Sequence, residues 1–361
     1  MEKEILELTK KFVSIKSFDG NSTGLNEVLD LALSYLQDYK IERFEREGIP
    51  SALVYNTATR PKKFKVLFNV HLDVVPGLEE NYIPKIKNGR LYGVGSMDMK
   101  GNAAAAILLF KELAKDLNYP VAVQLVTDEE VGGFNGTKLQ VEKGARADFV
   151  IATEPTNFDI VHKAKGVFWV KILANGVTAH GAYPWRGDNA IWKINTFLNN
   201  LKKKFPIPKK EVWATTVNLS KVETTNNSIN KIPSDCAASL DIRFVEEDKK
   251  TIEAQIKNLA KELKLKLEVV EKEPPMFTAK DNKYLVELAK ATTKNIKNKA
   301  ILRGANGTSD ARHFADVGCP GVEFGPIGGG IGSDEEWVDI KSLKTYSDIL
   351  KDFLIAIGTK N

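Results

Sequence analysis

Three short apolar runs most constrain how this chain can fold: "FKVLFNV" at 64–70, "VAVQLVT" at 121–127 and "DFVIAT" at 148–153. They are apolar nearly throughout instead of alternating, as in strands buried on both faces. A helical pattern, "AAAAILLFKELAKDL" at 103–117, lies between the first two. Buried strands separated by helices predict an α/β domain with a mostly parallel central sheet. In such sheets, functional side chains gather beyond the carboxyl ends of the strands. Here those ends carry His71 and Asp73, then Asp128, Glu129 and Glu130, then Glu154. Three neighbouring strands thus deliver metal-binding residue types to one edge.

Past residue 166 the periodicity changes. "GVFWVKILANG" alternates, 188–204 is helical, strands follow near 213–222 and 235–244, then a helix at 248–263 and a strand at 265–270. That β-α-β-β-α-β order predicts a ferredoxin-like α+β domain. The prolines of "EKEPPMF" (271–277) mark its end. The expected organisation is a catalytic domain over 1–165 and 274–361, interrupted by an inserted domain over 166–273. A chain of 361 residues is long enough for two such cores.

Composition narrows the function classes. The net charge of +5 comes from lysines spread over helix faces and not interleaved with aromatics, which argues against a nucleic-acid groove. No apolar run is long enough to span a membrane, and "MEKEILELTKKFVSIKS" reads as an amphipathic helix, not a signal peptide. Cys236 and Cys319 stand far apart and without metal spacing, which suits a reducing compartment. A cytoplasmic protein is expected.

Each acidic motif has a plain structural reading. His71 and Asp73 of "NVHLDVVPG" point the same way from a strand, and a carboxylate there can fix an imidazole tautomer for zinc; alone, such a pair is more often structural. "GVGSMDMKG" (93–101) fails as a dinucleotide loop because Asp98 stands where the third glycine is needed. It would repel a phosphate and attract a cation, or merely cap a helix. Glu154 in "ATEPTN" ends a buried strand, where a carboxylate needs a partner. "VTDEEVGG" (126–133) could be a solvated acidic loop. The shared order and placement of these motifs favour a metal centre.

Together, His71-x-Asp73, Asp98 in "DMKG", "DEEVGG", Glu154-Pro155 and "AHGAYPWRGDNAI" resemble the co-catalytic zinc peptidases and deacylases, over essentially the whole chain. That family includes acetylornithine deacetylase, succinyl-diaminopimelate desuccinylase, aminoacylase and related carboxypeptidases. The resemblance implies a catalytic domain with an inserted lid that mediates homodimerisation. It implies Glu129 as general base and Glu130 as a metal ligand. Asp98 would bridge two zinc ions, with His71 and Glu154 completing one shell and Asp73 supporting His71. His180 of "TAHG" matches the lid histidine that polarises the scissile carbonyl, in dimers often the partner's. Asn230 and Arg243 match substrate-binding positions, and Gly307 opens the substrate-side turn "GTSD".

One departure stands out. The family's last ligand is a histidine shortly before an acidic–aromatic–Val segment. Alignment on "EEWV" places it at Gly332, and the four histidines, at 71, 162, 180 and 313, leave none for that role. One tight zinc and a second weak or absent metal are expected, with Asp334 or Ser333 as possible substitutes and cobalt or manganese as possible metals. The expected activity is metal-dependent hydrolysis of a small N-acyl amino acid. A dipeptidase or aminopeptidase, or a non-catalytic small-molecule-binding relative, stands as the alternative.

Overall fold

The computed structural model of the chain describes residues 1–358. They form two units: Met1–Lys163, Met276–Ala305 and Ser309 onward in one, Ala164–Pro275 with Asn306–Thr308 in the other.

In the larger unit the strands Val121–Val126, Val66–His71 and Val150–Ala152 lie side by side and parallel. Gly321–Glu323 extends them, also parallel. The sheet is mixed beyond this centre: Ile49–Tyr55 joins Val121–Val126 antiparallel, and Lys40–Arg46 continues as a hairpin. The expectation of a mostly parallel sheet therefore holds for the centre, not the margins. The strand Lys40–Arg46 is exposed along much of its length, and a hairpin reaches it without a crossover.

Both faces of the centre are covered. Val66, Phe68 and Val70 pack with Val123, Leu125 and Ile151 against one core, which includes Phe110, Tyr346 and Phe353. Leu67, Ala122 and Val150 face the opposite core with Val141 and Phe314. This period-two partition explains the unbroken apolar runs. The helix Gly101–Leu113 buries nearly every residue, because "AAAAILLF" is apolar all round. Truncating Phe68 to Ala would cost about 3–5 kcal/mol. A small separate sheet pairs Trp337–Asp339 with Arg90–Tyr92 and with Gly328–Gly329.

The smaller unit is a four-stranded antiparallel sheet in the order Thr216–Glu223, Asp235–Phe244, Gly166–Asn175, Lys266–Glu273. Phe168, Val170, Ile172, Leu240 and Ile242 line one face beneath Phe197 and Ile256 of the helices Ala190–Lys204 and Ile252–Glu262. Burial alternates strictly along Asp235–Phe244, so a one-residue slip would turn its apolar set to solvent. Asn189 starts the first helix by accepting hydrogen bonds from the backbone of Ile191 and Trp192.

Candidate active site

His71 ends the central strand of the larger unit with its ring buried. Its Nε2 lies 3.1 Å from Asp98 Oδ1 and 3.9 Å from Glu154 Oε2. His71, Asp98 and Glu154 each offer one ligand atom, all within 4.8 Å of one another. No other such trio of His, Cys, Asp or Glu occurs among the described residues. His71 Nδ1 sits 3.0 Å from the Asp73 backbone carbonyl. A carbonyl only accepts, so Nδ1 carries a proton, and Nε2 is the nitrogen that faces the carboxylates, where a proton or a cation can sit between them.

Asp73 supports His71 differently from the expectation. Its carboxylate is 3.6 Å from Nδ1, too long for the hydrogen bond that its carbonyl makes. The carboxylate Oδ2 instead accepts the Glu130 backbone N–H at 3.0 Å, linking the His71 strand to the acidic turn. Two further groups fix the Asp98 segment. The buried Glu336 carboxylate accepts the backbone N–H groups of Gly95 (2.9 Å), Met97 (2.8 Å) and Asp98 (2.9 Å). Lys100 is wholly buried and donates to the Ile15 carbonyl at 2.8 Å. Burial pushes its ammonium down to about 7, against the pull of Glu336 and Asp73.

The acidic triplet separates into distinct environments. Asp128 is buried and accepts the backbone N–H groups of Asn135 and Gly136 at 2.7 and 3.0 Å, stitching its own loop. Glu129 and Glu130 sit on a 3-10 turn, Glu129–Val131, so the turn, not strand alternation, separates their directions. Burial holds the Glu129 carboxyl well above its usual pKa, opposed by His71 and reinforced by Asp310, Asp98 and Asp73. Burial likewise raises Glu130 to about 7 and Glu154 well above its usual range. For His71, burial alone would depress the imidazole, yet Asp73, Asp98, Glu154 and Glu129 outweigh it and hold it high.

Five carboxylates around one imidazole make an excess of negative charge in a poorly solvated place. A divalent cation held there would offset it and take the place of the proton at His71 Nε2. One buried oxygen of Glu154, Oε1, lacks a hydrogen-bond partner among the described residues, as a ligand oxygen would. An N,O,O donor set fits zinc and, less selectively, cobalt or manganese.

The remaining expected residues fall elsewhere. His180, Asn230, Arg243 and Gly307 belong to the smaller unit. His180 is exposed; its Nδ1 accepts the Ala182 N–H at 3.1 Å, which leaves the proton on Nε2 as an outward donor. The Gly181 N–H donates to the Asn230 carbonyl at 2.7 Å, tying those two segments together. Asp241 accepts Arg243 Nε at 2.8 Å, so the Nη pair lies outside that bond. Gly307 is exposed, but Ser309 and Asp310 of the same motif are buried. Gly332 lies on an exposed loop with φ +68°. Neither suggested substitute joins the trio: Asp334 accepts from Asn81 at 2.7 Å, and Ser333 donates to the Gly330 carbonyl at 2.7 Å.

Two participants went unnoticed in the sequence. Glu323 is buried in the strand Gly321–Glu323, and burial raises it to about 7. A charged residue inside "GVEF" is the same signal that singled out Glu154. Glu336 gives no such signal, since its three backbone donors come from a segment far away in sequence.

This α/β scaffold, carrying a buried imidazole and converging carboxylates at the parallel strand ends, defines a metal-dependent hydrolase. The sequence pattern of peptidase family M20/M25/M40 matches residues 67–356, and the chain belongs to that family. It is a metal-dependent amidohydrolase. A succinyl-diaminopimelate desuccinylase of Nautilia profundicola is 28% identical over 375 residues, covering 97% of this chain and 98% of the relative. Among solved structures, an aminopeptidase PepT from Bacillus cereus superposes with a TM-score of 0.80 at 21% identity, covering 98% of both chains. A dinuclear metal-binding M20 peptidase from Bacillus subtilis gives 0.73 at 12% identity, covering 100% of this chain and 99% of its own.

Proposed function

We propose that this chain hydrolyses the amide bond of a small N-acyl amino acid, with His71, Asp98 and Glu154 holding a divalent cation and Glu129 as general base. The convergence of those three ligand atoms beside the Glu129 turn carries the reading. The relatives named as desuccinylases support the acyl amino acid as substrate class. A cation held there would supply Lewis acidity, lowering the pKa of nearby water and polarising the amide carbonyl. Glu129 takes the proton of the attacking water as the new C–O bond forms. It returns that proton to the amine nitrogen as the C–N bond breaks. His180 Nε2–H donates to the developing oxyanion. Asn230 and Arg243 hold the substrate's amide and carboxylate, Arg243 through its Nη fork, and Gly307 borders the substrate.

The test is a panel of acetyl-, succinyl- and aminoacyl-amino acids with zinc, cobalt or manganese. The acyl-amino acids are expected to turn over fastest. Preference for unblocked dipeptides would replace this reading with a dipeptidase or aminopeptidase, and no turnover with no bound metal would leave a binding protein.

The centre takes one cation tightly and a second weakly or not at all, because Glu130 and a share of Asp98 lack an imidazole partner. Gly332→His is expected to raise bound zinc from about one towards two per chain. The left-handed φ costs the substitution about 1 kcal/mol on an exposed loop. Two equally tight metals in the unaltered protein would overturn this assignment.

The smaller unit serves as lid and homodimer surface, which the exposed Trp185 (74%), Trp192 (66%) and Ile229 near His180 in sequence or by strand pairing support. No helix among the described residues is long and apolar enough to cross a membrane. Two buried free cysteines support a cytoplasmic site.

A further inference from the structure

The Glu129 carboxylate has no hydrogen-bond partner among the described residues, so its place depends on the backbone that carries it. That backbone is pinned from behind by Arg312 and His313, which have no assigned part in the chemistry, and by Asp310 at the end of the "GTSD" turn. The Gly132 carbonyl accepts two hydrogen bonds, from Arg312 Nη2 at 2.5 Å and from His313 Nε2 at 3.0 Å. The Gly132 N–H closes the turn on the Glu129 carbonyl at 2.8 Å, and the Gly133 N–H donates to the Asp128 carbonyl at 2.7 Å. Thr137, where the loop enters a helix, donates to Asp310 Oδ2 at 2.5 Å. A Cβ at Gly133 would overlap the Asp310 carboxylate, so the segment sits directly against the loop. The His313 ring also meets Phe134 edge-on at 5.8 Å. Asp310, Arg312 and His313 are all at least 95% buried.

We propose that Arg312 and His313 are positioning residues for the general base, acting through the Gly132 carbonyl to fix the Glu129 turn. This rests on the reading of Glu129 as base. Two donors on one carbonyl set both the height and the tilt of the Gly132–Gly133 peptide plane, whose Gly133 N–H ties the end of the turn to the Asp128 carbonyl. Proton transfer tolerates little error in the donor–acceptor distance, so a loosened turn lowers turnover while leaving substrate contacts in place.

His313→Phe keeps an aromatic ring against Phe134 and removes the donor; His313→Gln keeps a donor without the ring. His313→Phe is expected to lower kcat about 10-fold, with KM within a factor of two and bound zinc unchanged, and His313→Gln to recover most of the loss. Arg312→Met, which removes the other donor, supplies the same test should His313→Phe fold poorly. The deciding measurement repeats the substitution in Glu129→Gln. If His313 acts through Glu129, it causes little further loss in that background. An equal fold-loss in both backgrounds, a change confined to KM, or unchanged kcat would overturn the proposal. Retained activity in Glu129→Gln alone would instead remove the base, and the clamp's purpose with it, a result separable from the others.

Discussion

Glu253 of the inserted unit accepts from Lys257 at 2.5 Å and from Lys272 at 2.6 Å. Those hydrogen bonds draw its pKa down to about 2. Glu130 and Glu336 of the catalytic unit are instead pushed up to about 7 by burial. Neither forms an ion pair with a lysine or arginine among the described residues, although Lys100 is near enough to Glu336 for the two charges to interact. The contrast separates scaffold from site. Surface acids meet their counter-charges in the folded chain itself, whereas the acids around His71 form no ion pair with a lysine or arginine among the described residues, an arrangement that a bound cation would complete.

The largest effect should come from removing one of those acids. Glu129→Gln is expected to cut kcat by two or more orders of magnitude with bound zinc unchanged, measured by steady-state kinetics and metal analysis. Substantial remaining turnover would place Glu129 with the surface acids. Mixing this variant with His180→Ala, each inactive for a different reason, should restore part of the activity through hybrid dimers. No recovery despite demonstrated subunit exchange would mean that His180 works within its own chain.

What was legible in the sequence follows the same divide. The three parallel strands could be read because burial on both faces forces continuous apolar runs. His71 and Glu154 could be read because charged groups at the ends of such strands need an explanation, and Asp98 because it stands where a dinucleotide loop would need a glycine. The inserted unit's strand and helix order came from periodicity alone, since one face of each element is wet. Contacts made by backbone atoms stayed hidden. Glu336 on the amides of Gly95, Met97 and Asp98, and Arg312 with His313 on the Gly132 carbonyl, join segments far apart by groups every residue possesses. The same holds for Asp73, whose backbone carbonyl, not its carboxylate, meets His71.

A middle-sized effect sharpens the comparison through pH. Glu323 and Glu336 have folded-state values of about 7, above the usual carboxylate range. A raised value means that the folded protein holds these protons more tightly than the unfolded chain. Their contribution to stability is thus full below about pH 4.5 and is lost as pH rises through about 7. A cation in the cluster offsets the charge that then appears. The gain in thermal midpoint on adding zinc to chelator-treated protein should therefore be several degrees larger at about pH 8 than at about pH 5.5. Equal gains at both values would mean that the buried acids and the cation are independent.

The smallest effect tests the other side. Glu253 has a lowered pKa, so its stabilisation is present above the unfolded value of about 4.5 and fades as pH falls through about 2. Its side chain is 30% exposed and its partners Lys257 and Lys272 are 55% and 35% exposed, so solvent screens most of the attraction. Glu253→Gln should cost only about 0.5 kcal/mol near neutral pH, read as faster amide exchange in the helix Ile252–Glu262. That difference should shrink in about 1 M salt, where screening reaches about 3 Å, and turnover and bound zinc should not change. A loss of zinc in this variant would erase the boundary between the two sets of acids, because a surface pair would then be helping to hold the metal.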